Sequence, residues 1–220
     1  MSSRCTSRRR NSSRDRVRSP PTSRLILLAS RSPQRRALLT AAGIAHRVVA
    51  SRYSEDDIAG LAPPEIVAQH AAAKARDVAE RSGIPDGGAV LGADTAVVRG
   101  EWVLGKPADR AEARQMLGAL SGQRHTVATA VCLVTAAGEH RFVEEALVWF
   151  RPFGDDHLEW YLEQGEWHGR AGAYAIQGSG ASLVERIEGD FNTVVGLPVA
   201  RLITLLQAVG LAPWQAPEGY

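Results

Sequence analysis

A chain of 220 residues, 45% apolar and 23% charged, suits one substantial α/β domain or two small ones, and no run of 18 or more apolar residues offers a membrane span. Cys5 and Cys132 stand far apart and form no metal-type or redox pair, which argues against a disulfide framework and fits a reducing cytoplasm. The formal charge of +2 hides a division: residues 1–24 carry +7, so the remainder carries −5.

The Ser/Arg-rich segment from Met1 to Ser23 has almost nothing apolar to bury and reads as a disordered tail. A weak nucleic-acid arm, a transit peptide and a merely tolerated extension are its three readings. Ordering it would cost more entropy than it could recover, so deleting residues 1–23 is expected to leave Tm and kcat/KM unchanged. A drop of several degrees on truncation would show that it docks. One domain is expected over residues 24–212, followed by a short tail over 213–220.

Leu25 to Ala29 is an apolar run of strand length. Ser32 is a good N-cap and Pro33 suits the first helical position, so a helix is predicted to Ala42, stopped by Gly43. His46 to Ser51 reads as a strand, and Arg52 to Pro64 as a polar loop carrying Glu55, Asp56 and Asp57. A helix over Glu65–Arg81 ends at Ser82-Gly83. Ala89 to Val98 is an apolar strand interrupted by Gly92 and Asp94, and Trp102 to Leu104 returns as its hairpin partner. Asp109 and Glu112 form a capping-box pattern for a helix to Leu120. Strands follow over about His125–Thr135 and Arg141–Arg151, then a helix over Asp155–Gln164. Short strands over Ala173–Gln177 and Ala181–Ile187 and a last helix over Pro198–Val209 complete a mixed sheet flanked by helices.

Candidate chemistry begins at the first turn. Ser30, Ser32, Arg35 and Arg36 place hydroxyls and guanidiniums where a helix N-terminus exposes N–H groups, a combination that favours a phosphate. A capped helix with a solvated basic turn explains the same residues equally well. Asp94 is a carboxylate inside a buried-strand pattern, expensive unless paired, metal-bound or at the strand's mouth. Gly92 and Ala93 would leave room beside it for a ligand. The chain's only lysines are Lys74, on an Ala-rich helix, and Lys106, returned toward Asp94 by a hairpin. Lys74 reads either as a snorkelling stem or as a phosphate-directed ammonium. Cations with hydroxyls suggest a polyphosphate, and Glu55 with Asp94 suggests a divalent cation, Mg²⁺ by default. Together they suggest attack by water at a phosphoryl centre. Arg14 and Arg52 are expected to be solvated, and His125 to serve a structural turn. No P-loop, nucleophile elbow or dinucleotide fingerprint is present.

Five blocks then match in order: LASRSPQRRALL (28–39), the acidic loop with AAAKA (71–75), GADTAVV running into LGKP (92–107), LSGQRHTVATAV (120–131), and AGAYAIQG running into VVGLP (171–198). Across about residues 25–209 the chain resembles the Maf family of nucleoside triphosphate pyrophosphatases. The resemblance implies an α/β fold on a long mixed twisted sheet, like that of the inosine triphosphate pyrophosphatases, and a homodimer. It implies cleavage of a nucleoside triphosphate to the monophosphate and pyrophosphate with Mg²⁺ or Mn²⁺. It assigns Asp94 as general base or metal-organising carboxylate, Glu55 near the metal, and Ser30, Ser32, Arg35, Lys74 and Lys106 to the phosphates. Thr95 and Gln177 match the subgroup acting on dTTP and UTP, whereas Gln34 stands where that subgroup usually has Arg. The alternatives it leaves are a 7-methyl-GTP pyrophosphatase and a nucleotide-sensing regulator of septum formation.

Overall fold

The computed structural model describes residues 24–55 and 60–214. The expected tail over 1–23, Asp56 and Asp57 of the acidic loop, and most of the segment 213–220 lie outside the described residues. Among the described residues no helix is long and apolar enough to cross a membrane.

The strands are β1 (Ile26–Leu28), β2 (His46–Val48), β3 (Ala89–Arg99), β4 (Trp102–Leu104), β5 (Arg124–Thr135), β6 (Gly138–Phe150) and β7 (Val184–Glu188). They form one mixed sheet in the order β2-β1-β3-β5-β6-β7, with β4 paired to β3. β1 runs parallel to both β2 and β3, whereas β3, β5 and β6 form a long antiparallel meander. The helices are α1 (Pro33–Ala41), α2 (Pro63–Ser82), α3 (Arg110–Leu120), α4 (Asp155–Glu163), α5 (Phe191–Val195) and α6 (Val199–Ala208). This is the mixed, helix-flanked sheet that the alternation of patterns predicts.

Strand alternation sorts the core into layers. Leu27, Val90, Ala128 and Ala130 face α2 through Val67, Ala71, Ala75 and Val78. Ile26, Leu28, Leu91 and Val131 face the other way, onto Leu39 of α1 and Leu202 and Leu206 of α6. A third cluster joins Leu117 and Leu120 of α3, Tyr161 and Leu162 of α4, and Val148 and Phe150 of β6.

The space expected beside Asp94 has a different occupant. A Cβ at Gly92 would collide with the carbonyl oxygen of Ala71 and would lie 2.9 Å from the amide nitrogen of Ala75. Gly92 therefore admits the backbone of α2 rather than a ligand, and Ala93 is wholly buried on the opposite face. Gly92→Ala should destabilise the fold by about 1–3 kcal/mol through overpacking against a rigid helix. Denaturant unfolding measures this, and an unchanged midpoint would mean that α2 shifts freely.

Two expected strands differ. Residues 171–173 form a 3-10 turn with Gly172 and Ala173 both left-handed (φ 68° and 62°), a path no strand can follow. A second 3-10 turn covers Gly178–Ser182, so the last strand is Val184–Glu188 rather than Ala181–Ile187. Helix α5 (Phe191–Val195) is not among the predicted elements. Asp190 caps it by accepting from the Asn192 amide at 3.0 Å, and Gly196 (φ 118°) ends it. Both caps are visible in the sequence, but five residues are too few to show a helical period.

Candidate active site

The sheet opens at one place. β1 makes its last bond to β3 where the Ala29 amide donates to the Leu91 carbonyl at 2.8 Å. β4 joins β3 only at Val97. Because β5 occupies the other edge of β3 throughout, the edge over residues 92–96 has no strand partner among the described residues. This is the carboxyl end of parallel β1, the position where open α/β sheets hold ligands. Ser30 to Ser32 cross the opening and start α1: the Ser32 amide donates to Ser30 Oγ at 3.2 Å, and Ser32 Oγ accepts from the Arg35 amide at 3.4 Å.

Asp94 lies two residues beyond Gly92 and so shares its α2 face. The close approach of α2 brings Lys74 over it, with Nζ 2.6 Å from Asp94 Oδ1. The same ammonium lies 2.5 Å from Glu55 Oε1, and Glu55 Oε2 accepts from Lys106 Nζ at 3.2 Å. The result is an alternating array, Asp94–Lys74–Glu55–Lys106. Burial disfavours ionisation of Glu55, but the hydrogen bonds and charges of Lys74 and Lys106 outweigh it and hold the pKa at about 2. Among the described residues nothing bonds to Asp94 Oδ2, which leaves that oxygen available. The segment bearing Glu55 is tied to α2 upstream, where Asp77 accepts from the Ser51 hydroxyl (2.9 Å) and the Arg52 amide (2.8 Å).

Thr95 points to the other face. Arg35 donates from Nη2 to Thr95 Oγ1 (3.0 Å), from Nε to the Gly196 carbonyl (2.8 Å) and from Nη1 to Ser30 Oγ (3.2 Å). Burial lowers the pKa of Arg35, opposed by the negative charges of Asp94 and Glu55. Gln34 accepts from Ser32 Oγ at 3.2 Å, so its amide oxygen is turned onto the helix cap.

Both faces meet at the open edge in one cavity of about 820 Å³. Ser30, Ser32, Gln34, Arg35, Glu55, Lys74, Asp94, Thr95, Lys106 and Gln177 all line it. Arg52 is exposed, as expected of a solvated residue, but it too lines the cavity and so is no remote control for it. His125 is not in a turn. It is a buried residue of β5, bonded through Nε2 to Tyr174 Oη at 2.9 Å, and burial pushes its pKa down to about 4. Glu166 also lines the cavity, and no sequence pattern singles it out.

The model of the Maf-like protein family matches residues 25–209, most of the chain. The chain belongs to the Maf family. Family relatives include the dTTP/UTP pyrophosphatase of Symbiobacterium thermophilum, 45% identical over 185 residues that cover 84% of this chain and 94% of the relative. That of Anaeromyxobacter dehalogenans (strain 2CP-1) is 45% identical over 197 residues, covering 87% and 98%. That of Cupriavidus metallidurans is 40% identical over 196 residues, covering 85% and 98%. The open-edge cavity of this Maf protein therefore lies wholly within the matched region.

Proposed function

We propose that this Maf protein is a metal-dependent nucleoside triphosphate pyrophosphatase that converts dTTP and UTP to the monophosphate and pyrophosphate. The observation that carries the proposal is the Asp94–Lys74–Glu55–Lys106 array lining a cavity whose size suits a nucleotide. The names of the relatives supply the substrate class. Glu55 and Asp94 approach the same ammonium from two sides, so their carboxylates lie close together. Hard oxygen donors of this kind fit Mg²⁺ or Mn²⁺, and no group of three His, Cys, Asp or Glu residues among the described ones forms a complete cage. Mg²⁺ commonly takes one or two carboxylates and completes its shell with phosphate oxygens and water. Glu55 and Asp94 would hold the cation, which when bound neutralises phosphate charge.

The remaining chemistry belongs to the protein. Water attacks the α-phosphorus, the bond to the bridging oxygen breaks, and pyrophosphate leaves with the electron pair. Asp94 Oδ2 accepts the water's proton. Lys74 orients Asp94 through Oδ1, and with Lys106 it balances charge on the phosphates. Ser30, Ser32 and Arg35 bind phosphate oxygens at the start of α1. Thr95 and Gln177 read the base. Pyrophosphate release on dTTP and UTP with Mg²⁺, lost on chelation, tests the assignment. Tight nucleotide binding without release would favour the nucleotide-sensing role in septum formation. A homodimer acting in the cytoplasm belongs to the same reading, and sedimentation tests the dimer.

Gln34 bears on substrate choice. Its contact with Ser32 Oγ needs an acceptor, which Arg lacks. Gln34→Arg should therefore turn its side chain away from the cap and put a cation at the cavity wall. We expect dTTP and UTP to exceed 7-methyl-GTP in kcat/KM for the parent protein, and Gln34→Arg to widen that ratio by about fivefold, the worth of one added polar contact. A parent preference for 7-methyl-GTP would reject the subgroup assignment. An unchanged ratio would show that position 34 does not read the base.

A further inference from the structure

Gln177 is exposed on a segment that is neither helix nor strand, between the two 3-10 turns. A side chain on such a segment selects a base only if its backbone is held. Beyond Gln177 the holding contacts come from Glu166. Glu166 accepts from the Ser179 amide through Oε1 at 2.9 Å and from the Gly180 amide through Oε2 at 3.1 Å. Both oxygens of the carboxylate are thus spent on the backbone just beyond Gln177. Gly178, directly after Gln177, is left-handed (φ 81°), and a Cβ there would collide with Glu166 Oε1. The turn is therefore shaped to accept the carboxylate. On the near side the Ala175 amide donates to the buried Tyr161 hydroxyl at 3.0 Å, so Gln177 sits between two anchored points.

Glu166 is itself mounted on packed structure. Gly165 (φ 71°) turns the chain out of the end of α4. The next residue after Glu166, Trp167, is buried and donates from its indole N–H to the Leu162 carbonyl at 3.0 Å. His168 stacks on Trp167 with ring centroids 3.6 Å apart. The carboxylate thus projects from a post rooted in the α4 core. Charge-assisted bonds to two successive amides fix both the distance and the direction of the turn.

We propose that Glu166 is a positioning residue for base recognition: with both carboxylate oxygens bonded to backbone amides, it acts through the Ala175–Gly180 turn, holding it so that Gln177 meets the base edge at a set distance. This rests on the reading of Gln177 as a base-reading residue. A purely structural role would lower stability and act on all substrates alike. A positioning role acts on base selection and leaves the phosphate half of the site intact.

Glu166→Gln separates the two. The amide keeps the shape of the carboxylate, but its NH2 faces a backbone N–H that needs an acceptor, so one of the two anchors is lost. Glu166→Ala removes both. Displacing a recognition group by about 1 Å costs up to about a hundredfold. We expect kcat/KM for dTTP relative to 7-methyl-GTP to fall at least about tenfold in Glu166→Gln and further in Glu166→Ala. The loss should appear in KM more than in kcat. Inhibition by inorganic pyrophosphate, which probes the phosphate half alone, should stay within about twofold of the parent protein. Gln177→Ala is measured in parallel. If it lowers the same ratio while Glu166→Gln leaves it unchanged, the positioning role is overturned and base reading by Gln177 stands. If Gln177→Ala leaves the ratio unchanged, it is the base-reading assignment that fails. A parallel rise in the pyrophosphate inhibition constant and a fall in Tm in Glu166→Gln would overturn the proposal in favour of general support.

Discussion

Asp94→Asn is expected to abolish turnover and leave the fold intact. The carboxylate sits on the α2 face of β3, with Oδ1 held by Lys74 and no bond to Oδ2 among the described residues. Asn keeps the volume and can still accept from Lys74 through its carbonyl oxygen. Lys74 also keeps Glu55 at 2.5 Å, so its ammonium is not left buried and alone. What disappears is the negative charge and the basic oxygen. Removing a general base or metal-organising carboxylate costs on the order of 10²–10⁴-fold in rate. The expected pattern is a kcat reduced by that factor at saturating dTTP and Mg²⁺, with Tm within a few degrees of the parent. Parent-like turnover would remove Asp94 from the mechanism.

Lys74→Ala should cost about as much, on the order of 10²–10³-fold in kcat/KM, the scale of losing one preorganised transition-state donor. Among the described residues Lys74 is the one group that touches both carboxylates, and its side chain is only 9% exposed. Without it Asp94 and Glu55 lose the ammonium that bridges them. Lys106 makes a single 3.2 Å contact to Glu55 and its side chain is 56% exposed, so water screens it more. Lys106→Ala should lose less, about tenfold to hundredfold. Arg52 lines the cavity, which makes Arg47, exposed on β2 and away from the cavity, the proper control. Arg47→Ala should change kcat/KM by less than about twofold. Equal effects at positions 74, 106 and 47 would mean that the phosphates bind elsewhere.

Much of this architecture was legible from local signals. The N-caps at Ser32 and Asp109 and the alternation along β3 and β5 act over a few residues, so the elements they mark lie close to where the sequence predicts them. The motif blocks likewise named ten of the residues that line the cavity, Ser30, Ser32, Gln34, Arg35, Glu55, Lys74, Asp94, Thr95, Lys106 and Gln177. The strand expected over Ala173–Gln177 failed because its apolar character serves the third core cluster from a turn. Burial alone does not distinguish a turn from a strand. What Gly92 does, which face Asp94 and Thr95 take, and how Lys74 bridges Glu55 and Asp94 all depend on how α2 packs on β3.

The case of Glu166 is sharper still. A lone glutamate before a tryptophan has no local pattern, and its role exists only because the chain returns thirteen residues later to offer two amides. Sequence by itself determined five of the six described helices, most strands and many of the groups gathered at the cavity, because capping and periodicity are short-range properties. Only the tertiary structure decided which oxygen of Asp94 is engaged, which face of the open sheet edge each side chain reaches, and what holds the Gln177 turn, because those are set by contacts between segments far apart in the chain.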